Sequence, residues 1–184
     1  MIVAIQGILG SYSEEAANLL LKDKFSILEC DSFQSVFLAL IEERADFAVI
    51  PVWNKVIGKI AQNVSAISEF GLTTLNSLEL PIRHALIGTI DSTFEQLEIV
   101  TSQPEAIRQC ERFFLQNPQL SIRAGKDTAM SVKQIVEQGD SRIAAIGSKR
   151  AAALYGGKIL KENLSDNSEN STLFYLIRKG RHIC

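Results

Sequence analysis

The chain has 184 residues and a mass of 20.3 kDa, the size of one compact domain or of two small lobes. Hydrophobic residues at 46% and charged residues at 22%, with 11 glycines and 4 prolines, exclude disordered, collagen-like and coiled-coil chains. The net charge of −2 gives no basic face for nucleic-acid phosphates, and no apolar run approaches the roughly 20 residues of a membrane span.

The opening Met1–Gly7 has no basic stretch before its apolar residues and does not read as a signal peptide. Cys30, Cys110 and Cys184 are an odd, scattered set without a CxxC pair. They predict free thiols and a cytoplasmic setting, not a disulfide framework or zinc site. With His84 and His182 as the only histidines, no metal centre is expected. His84, just after Pro81, reads as a structural hydrogen-bonding residue, and His182 as part of a solvated basic tail.

In chain order, Ile2 to Ile5 reads as a buried strand and Ser13 to Lys22 as a helix. Phe25 to Glu29 is strand-like. Phe33 to Glu43 then sets Phe33, Val36, Phe37, Leu40 and Ile41 on one helical face. Phe47 to Val52 is an apolar strand, stopped by turn chemistry near Pro51. A helix is expected over Val56 to Phe70, with strands over Leu72 to Leu80 and Ala85 to Ile90. The second half repeats the rhythm: strand Leu97 to Thr101, helix Pro104 to Leu115, strand Leu120 to Arg123, and helix Asp127 to Gln138 with Asp127 as N-cap. Ile143 to Ile146 is a strand, Lys149 to Tyr155 a helix stopped by Gly156-Gly157, Lys158 to Leu164 extended, Ser165 to Ser171 a polar loop, and Thr172 to Ile177 a last strand.

This alternation predicts an α/β fold of parallel sheets with crossover helices. It suggests two lobes, 1–80 with 165–184 and 83–163, and a cleft between them into which the ends of the strands deliver functional residues.

Five segments carry polar chemistry at such ends. Gly7 to Ala17 places Gly10, Ser11 and Tyr12 at a helix start, with Ser11 and Glu14 at capping-box spacing. It is either a capped turn or an anion site built from free N–H groups and the positive helix end. Pro51 to Gly58 offers Asn54 as donor and acceptor and Lys55 as a cation, or is a solvated turn; Trp53 reads as packing. Ser102-Gln103-Pro104 and Asp127-Thr128-Ala129 are helix starts with polar donors. Asn170 to Phe174 brings Thr172 to the mouth of the last strand, with Phe174 as core. No nucleophile triad is visible.

Taken together and in this order, these segments resemble the catalytic domain of prephenate dehydratases. The resemblance rests on Gly7 to Ala17, Cys30 to Phe37, Ala45-Asp46, Pro51, Asn54, Gly58, Leu80 to Leu86, Ser102, Pro104, Gln109-Cys110, Phe113, Thr128-Ala129, Ala144 to Ile146, Ser148, Ala151-Ala152, Tyr155-Gly156, Asp166 and Asn170 to Thr172. It implies two α/β lobes similar to type II periplasmic binding proteins, with the active site in the interlobe cleft. The implied partner is prephenate, a small dianion, with no metal or organic cofactor; a homodimer is compatible with it.

The departures fall at the chemistry. The family's Thr-Arg-Phe reads Thr172-Leu173-Phe174, its Glu-Asn-Ser reads Trp53-Asn54-Lys55, and its Ser-His-Pro reads Ser102-Gln103-Pro104. The ACT domain that usually follows is not expected, because the chain ends ten residues after Phe174. Such changes on a kept scaffold resemble the non-aromatising prephenate decarboxylases of secondary metabolism. They make that lyase activity the expected function, with prephenate dehydratase and an inactive binding module as the alternatives. On this reading Thr172 and Asn54 carry the catalysis. Gly10, Ser11, Tyr12, Lys55, Ser102, Gln103, Thr128, Ala129, Leu173 and Phe174 hold the substrate.

Overall fold

The computed structural model describes residues 1–180, so His182 and Cys184, read above as a solvated tail residue and a free thiol, lie outside it. The chain divides into two units, Met1–Pro81 with the stretch from Asn170 onward, and Ile82–Glu169. The first unit begins with β1 (Ile2–Gln6), α1 (Tyr12–Leu20), β2 (Ser26–Cys30), α2 (Phe33–Ile41), β3 (Phe47–Asn54), β4 (Gly58–Lys59), α3 (Ala61–Glu69) and β5 (Leu72–Pro81). The second holds β6 (Ala85–Gly88), a 3-10 turn, β7 (Ile99–Ser102), α4 (Pro104–Arg108), α5 (Glu111–Gln116), β8 (Ser121–Ala124), α6 (Thr128–Gln138), β9 (Ile143–Gly147), α7 (Lys149–Tyr155) and β10 (Lys158–Lys161). The last strand, β11 (Ser171–Lys179), returns to the first unit.

Both sheets are mixed, not wholly parallel as the alternation predicts. In the first the order is β2-β1-β3-β11-β5, with β4 on β3; β1 runs parallel to β2 and β3, and β11 antiparallel to β3 and β5. In the second the order is β10-β6-β9-β7-β8, with β7 parallel to β8 and β9 and β6 antiparallel to β9 and β10. Hydrophobic periodicity reports burial, not strand direction, so a strand that leaves a unit (β5) and one that re-enters it (β11) look alike in sequence. Among the described residues no helix is long and apolar enough to cross a membrane.

Three elements differ from the sequence expectation for local reasons. Strand β3 does not stop at Pro51 but runs to Asn54, because Val52 is an extra residue in its pairing with β11 (Pro51 opposite Phe174, Trp53 opposite Leu173), and a bulge is where a strand tolerates a missing N–H. The helix expected from Val56 starts only at Ala61. Asn54 Oδ1 accepts the N–H groups of Val56 (2.9 Å) and Ile57 (3.1 Å), and Gly58 at φ +80° turns the chain back onto β3. The helix expected over 104–115 is two, because the chain bends at Cys110 and the Asp166 carboxylate takes the Arg112 N–H as α5 begins.

The stretch 165–169, placed by sequence with the first lobe, belongs to the second unit. Leu164 N donates to His84 O (3.0 Å) and Asp166 N to Gln109 O (2.8 Å), which ties it there. In the first unit one apolar cluster (Ala4, Val36, Phe37, Leu40, Ile50, Ile177) lies on one sheet face and a second (Val3, Ile5, Ala16, Val49, Phe174, Leu176) on the other. The second unit has one main cluster around Leu86, Val100, Phe113 and Ile146.

Candidate functional site

In the first unit the polar centre is Asn54, only 5% exposed at the end of β3. Its Nδ2 donates to Thr172 Oγ1 (2.8 Å), Asn170 Oδ1 (3.0 Å) and Ser171 O (3.0 Å), while its Oδ1 holds the Val56 and Ile57 N–H groups. Both ends of the amide are occupied by the protein, so Asn54 fixes the start of β11 and the turn after β3. For Thr172 the consequence is directional. Its oxygen accepts from Asn54, which leaves the hydroxyl proton without a protein acceptor among the described residues. Lys55 follows on the exposed turn, and its N–H donates to Ser171 O (2.9 Å).

Alternation along β11 separates the next residues. Phe174 is buried with the Val3–Ile5 cluster, as the sequence predicts for a core aromatic, whereas Leu173 is half-buried against the opposite cluster around Phe37 and Ile50. Trp53 on β3 and Glu79 on β5 stand directly across from Leu173 in register. Trp53 remains 38% exposed, so it is not the packing residue that the sequence suggests. Glu79 accepts a short hydrogen bond from Ser171 Oγ (2.6 Å). Sequence reasoning passed over this carboxylate, whose signal was an acid in an otherwise uncharged strand.

At the start of α1, Ser11 caps the helix, its Oγ accepting from Glu14 N (3.3 Å), and Tyr12 packs against the Val3–Ile5 cluster. The Glu14 carboxylate, 3% exposed, accepts from Gly10 N (3.3 Å) and from Asn18 Nδ2. A buried carboxylate thus already lies at this helix N-terminus, the position that the sequence reading assigned to a ligand anion.

In the second unit the parallel strands β7, β8 and β9 each lead into a helix, with Gln103, Asp127 and Ser148 as the N-caps. Ser102 is fully buried, and its hydroxyl donates to Ile146 O (2.7 Å), joining β7 to β9 instead of facing a ligand. Gln103 is exposed and makes no capping bond. Asp127 Oδ1 accepts from Met130 N (2.7 Å), and Ser131 Oγ donates to Asp127 O (2.7 Å). Gly125 is required here, since a Cβ would collide with Ser131 Oγ and crowd Thr101 Oγ1 at 3.3 Å. Above this packed floor the Thr128 hydroxyl and the Thr128 and Ala129 N–H groups have no protein partner among the described residues, at the positive end of an 11-residue helix. Ser148, which caps α7 through Ala151 N (2.9 Å), is a helix-start hydroxyl that the sequence noted without assigning a role.

His84, Cys30 and Cys110 are buried groups whose titration is shifted by that burial. His84 is buried with Nε2 at 3.1 Å from Gln109 Oε1, and burial holds its pKa below the ordinary value, so the ring is neutral. Burial pushes the Cys110 thiol up to about 12, and it raises Cys30 as well.

The family profile for prephenate dehydratase (PDT) matches residues 3–182. The Arabidopsis thaliana "Arogenate dehydratase/prephenate dehydratase 1, chloroplastic" is 33% identical over 177 residues, covering 96% of this chain and 45% of its own length. The chain spans about half the length of the curated relatives it matches. Among solved structures, GqqA, described as a novel type of quorum quenching acylase, is 26% identical with a TM-score of 0.85, covering 98% of this chain and 65% of that one. The Arthrobacter aurescens prephenate dehydratase in complex with L-Phe is 22% identical with a TM-score of 0.88, covering 98% and 61%, and shares the fold. A family match over nearly the whole length, on the mixed α/β framework of two sheets described above, places this chain in the prephenate dehydratase family.

Proposed function

We propose that this chain is a prephenate-utilising lyase that expels the ring carboxylate as carbon dioxide. The observation that carries the reading is the state of two hydroxyls. Thr172, its oxygen held by Asn54, and Thr128, the first residue of α6 after its Asp127 cap, each keep a proton to donate. A dianion with a C4 hydroxyl needs such donors: N–H and O–H groups for a carboxylate, and one donor for the hydroxyl oxygen. Lys55 on the exposed turn adds charge.

The fate of the C4 hydroxyl separates two readings. In dehydration the electron pair released with carbon dioxide travels through the diene and ejects hydroxide, which takes up a proton to leave as water; the ring becomes aromatic. The relatives, dehydratases of prephenate and arogenate, support this outcome better. In non-aromatising decarboxylation the pair ends on a ring carbon that accepts a proton, and the hydroxyl stays. One specific observation favours this second reading. Leu173, where the resemblance places an arginine, is packed on an apolar cluster between Trp53 and Glu79 and supplies neither charge nor donor to a departing oxygen.

Incubation with prephenate, and in parallel with arogenate, followed by NMR and mass analysis of the product, tests the proposal. Phenylpyruvate from prephenate establishes dehydration, a dihydro-4-hydroxyphenylpyruvate establishes decarboxylation, and no turnover of either substrate overturns the lyase reading.

A further inference from the structure

Away from all of these residues, the second unit has a cavity of about 190 Å³ at the junction of α5, β10 and the stretch 163–166. Two cations line it, Arg112 and Lys161, and among the described residues neither has a carboxylate partner. Lys161 Nζ lies 5.5 Å from the centroid of the Phe113 ring, which holds the ammonium in place. The third element is Ser165, whose hydroxyl oxygen is buried and has no hydrogen-bond partner among the described residues.

That hydroxyl is not there through slack in the chain. Its neighbours are fixed on both sides, Leu164 N to His84 O (3.0 Å) and Asp166 N to Gln109 O (2.8 Å), and the Asp166 carboxylate is anchored to Arg112 N. Asn163, one step earlier, adopts φ +55°, a conformation that costs a non-glycine residue and persists only where its surroundings impose it. A buried hydroxyl without a partner loses the hydrogen bonds it would make in water, so a pinned one in a cavity lined by two cations marks a place where an acceptor belongs. With Asp166 on the same wall, the two cations leave one net positive charge.

We propose that this cavity binds a small oxyanion, a carboxylate or a phosphate group, with Arg112 and Lys161 supplying charge and Ser165 Oγ donating a hydrogen bond. The site is independent of the lyase reading, because none of its residues belongs to that machinery.

The test is an amide NMR titration of the full chain with inorganic phosphate and, separately, with acetate. Saturable shifts centred on residues 112, 161 and 163–166 are expected, with Arg112→Gln and Lys161→Gln each weakening binding about tenfold, the loss expected for one charge-assisted contact. Both variants retain the wild-type unfolding temperature, since the two side chains are exposed. Saturation by phosphate alone assigns a phosphate group; saturation by acetate assigns a carboxylate. Shifts that grow linearly with concentration, that chloride reproduces, or that persist unchanged in Arg112→Gln overturn the proposal.

Discussion

Asn54→Ala tests the central structural claim, that one buried amide organises both the start of β11 and the turn after β3. The wild-type side chain makes five contacts at 2.8–3.1 Å, three through Nδ2 and two through Oδ1. An intramolecular hydrogen bond contributes roughly 0.5–1.5 kcal/mol net, and the Val56 and Ile57 N–H groups lie where water can replace the lost acceptor, so the whole set is worth about 3 kcal/mol. For a chain of 184 residues, with roughly 2–4 °C per kcal/mol, the unfolding temperature should fall by about 6–12 °C. Thermal and urea unfolding of the wild type and the variant measure this. Asn54→Asp keeps the two acceptor contacts but sets a carboxylate against Asn170 Oδ1 and Ser171 O, so it should be no better than the alanine variant. A loss below about 1 kcal/mol in Asn54→Ala would show that the turn and β11 hold their geometry without the amide.

Thr172→Val keeps the β-branched shape and removes the hydroxyl; Asn54 retains two of its acceptors, so stability should change by at most about 1 kcal/mol while kcat/KM for prephenate falls about 10²–10³-fold. An active variant would remove Thr172 from the chemistry. Leu173→Arg places a cation across from Glu79, which can pair with it, so the variant should fold and shift the product ratio toward phenylpyruvate; an unchanged ratio on NMR analysis would show that Leu173 does not direct the outcome. Acidification should destabilise the chain through His84. Its folded pKa lies below the ordinary 6.5, so its contribution is complete above pH 6.5 and is lost as the pH falls from there through the folded value. His84→Gln should flatten that part of the pH dependence of the unfolding temperature, and an identical slope in both proteins would assign it to other groups.

The sequence was informative where chemistry is local. Asp127 and Ser11 were legible as N-caps because a short oxygen side chain before a helical run has one common use, and both cap as expected. Phe174 was legible as core from its place in an apolar run. What stayed hidden depends on partners distant in sequence. Asn54 and Thr172 are 118 positions apart, and nothing at either position announces that one orients the other. Ser102 looked like a ligand donor because its neighbours are polar, yet its proton goes to Ile146 on an adjacent strand. The extension of β3 through Pro51 required a bulge at Val52 in its pairing with β11, a feature that no single segment contains.

These commitments narrow where the charge of a dianion can be met. The N-terminus of α1 is already balanced by Glu14, and placing a second carboxylate beside a buried first one would oppose like charges. Ser102 has no proton to give, and Asp127 brings a negative charge of its own to the α6 cap. In the second unit the Thr128 hydroxyl and the first N–H groups of α6 keep their protons, and in the first unit the Thr172 hydroxyl does. Under the proposed function, Leu173 in place of a guanidinium would leave charge to be met largely by neutral donors, which hold a carboxylate but stabilise a departing hydroxide less than a cation does. On that proposal the shortage should weaken help for a leaving hydroxyl more than it slows loss of carbon dioxide. There the negative charge disperses into the diene instead of gathering on one oxygen.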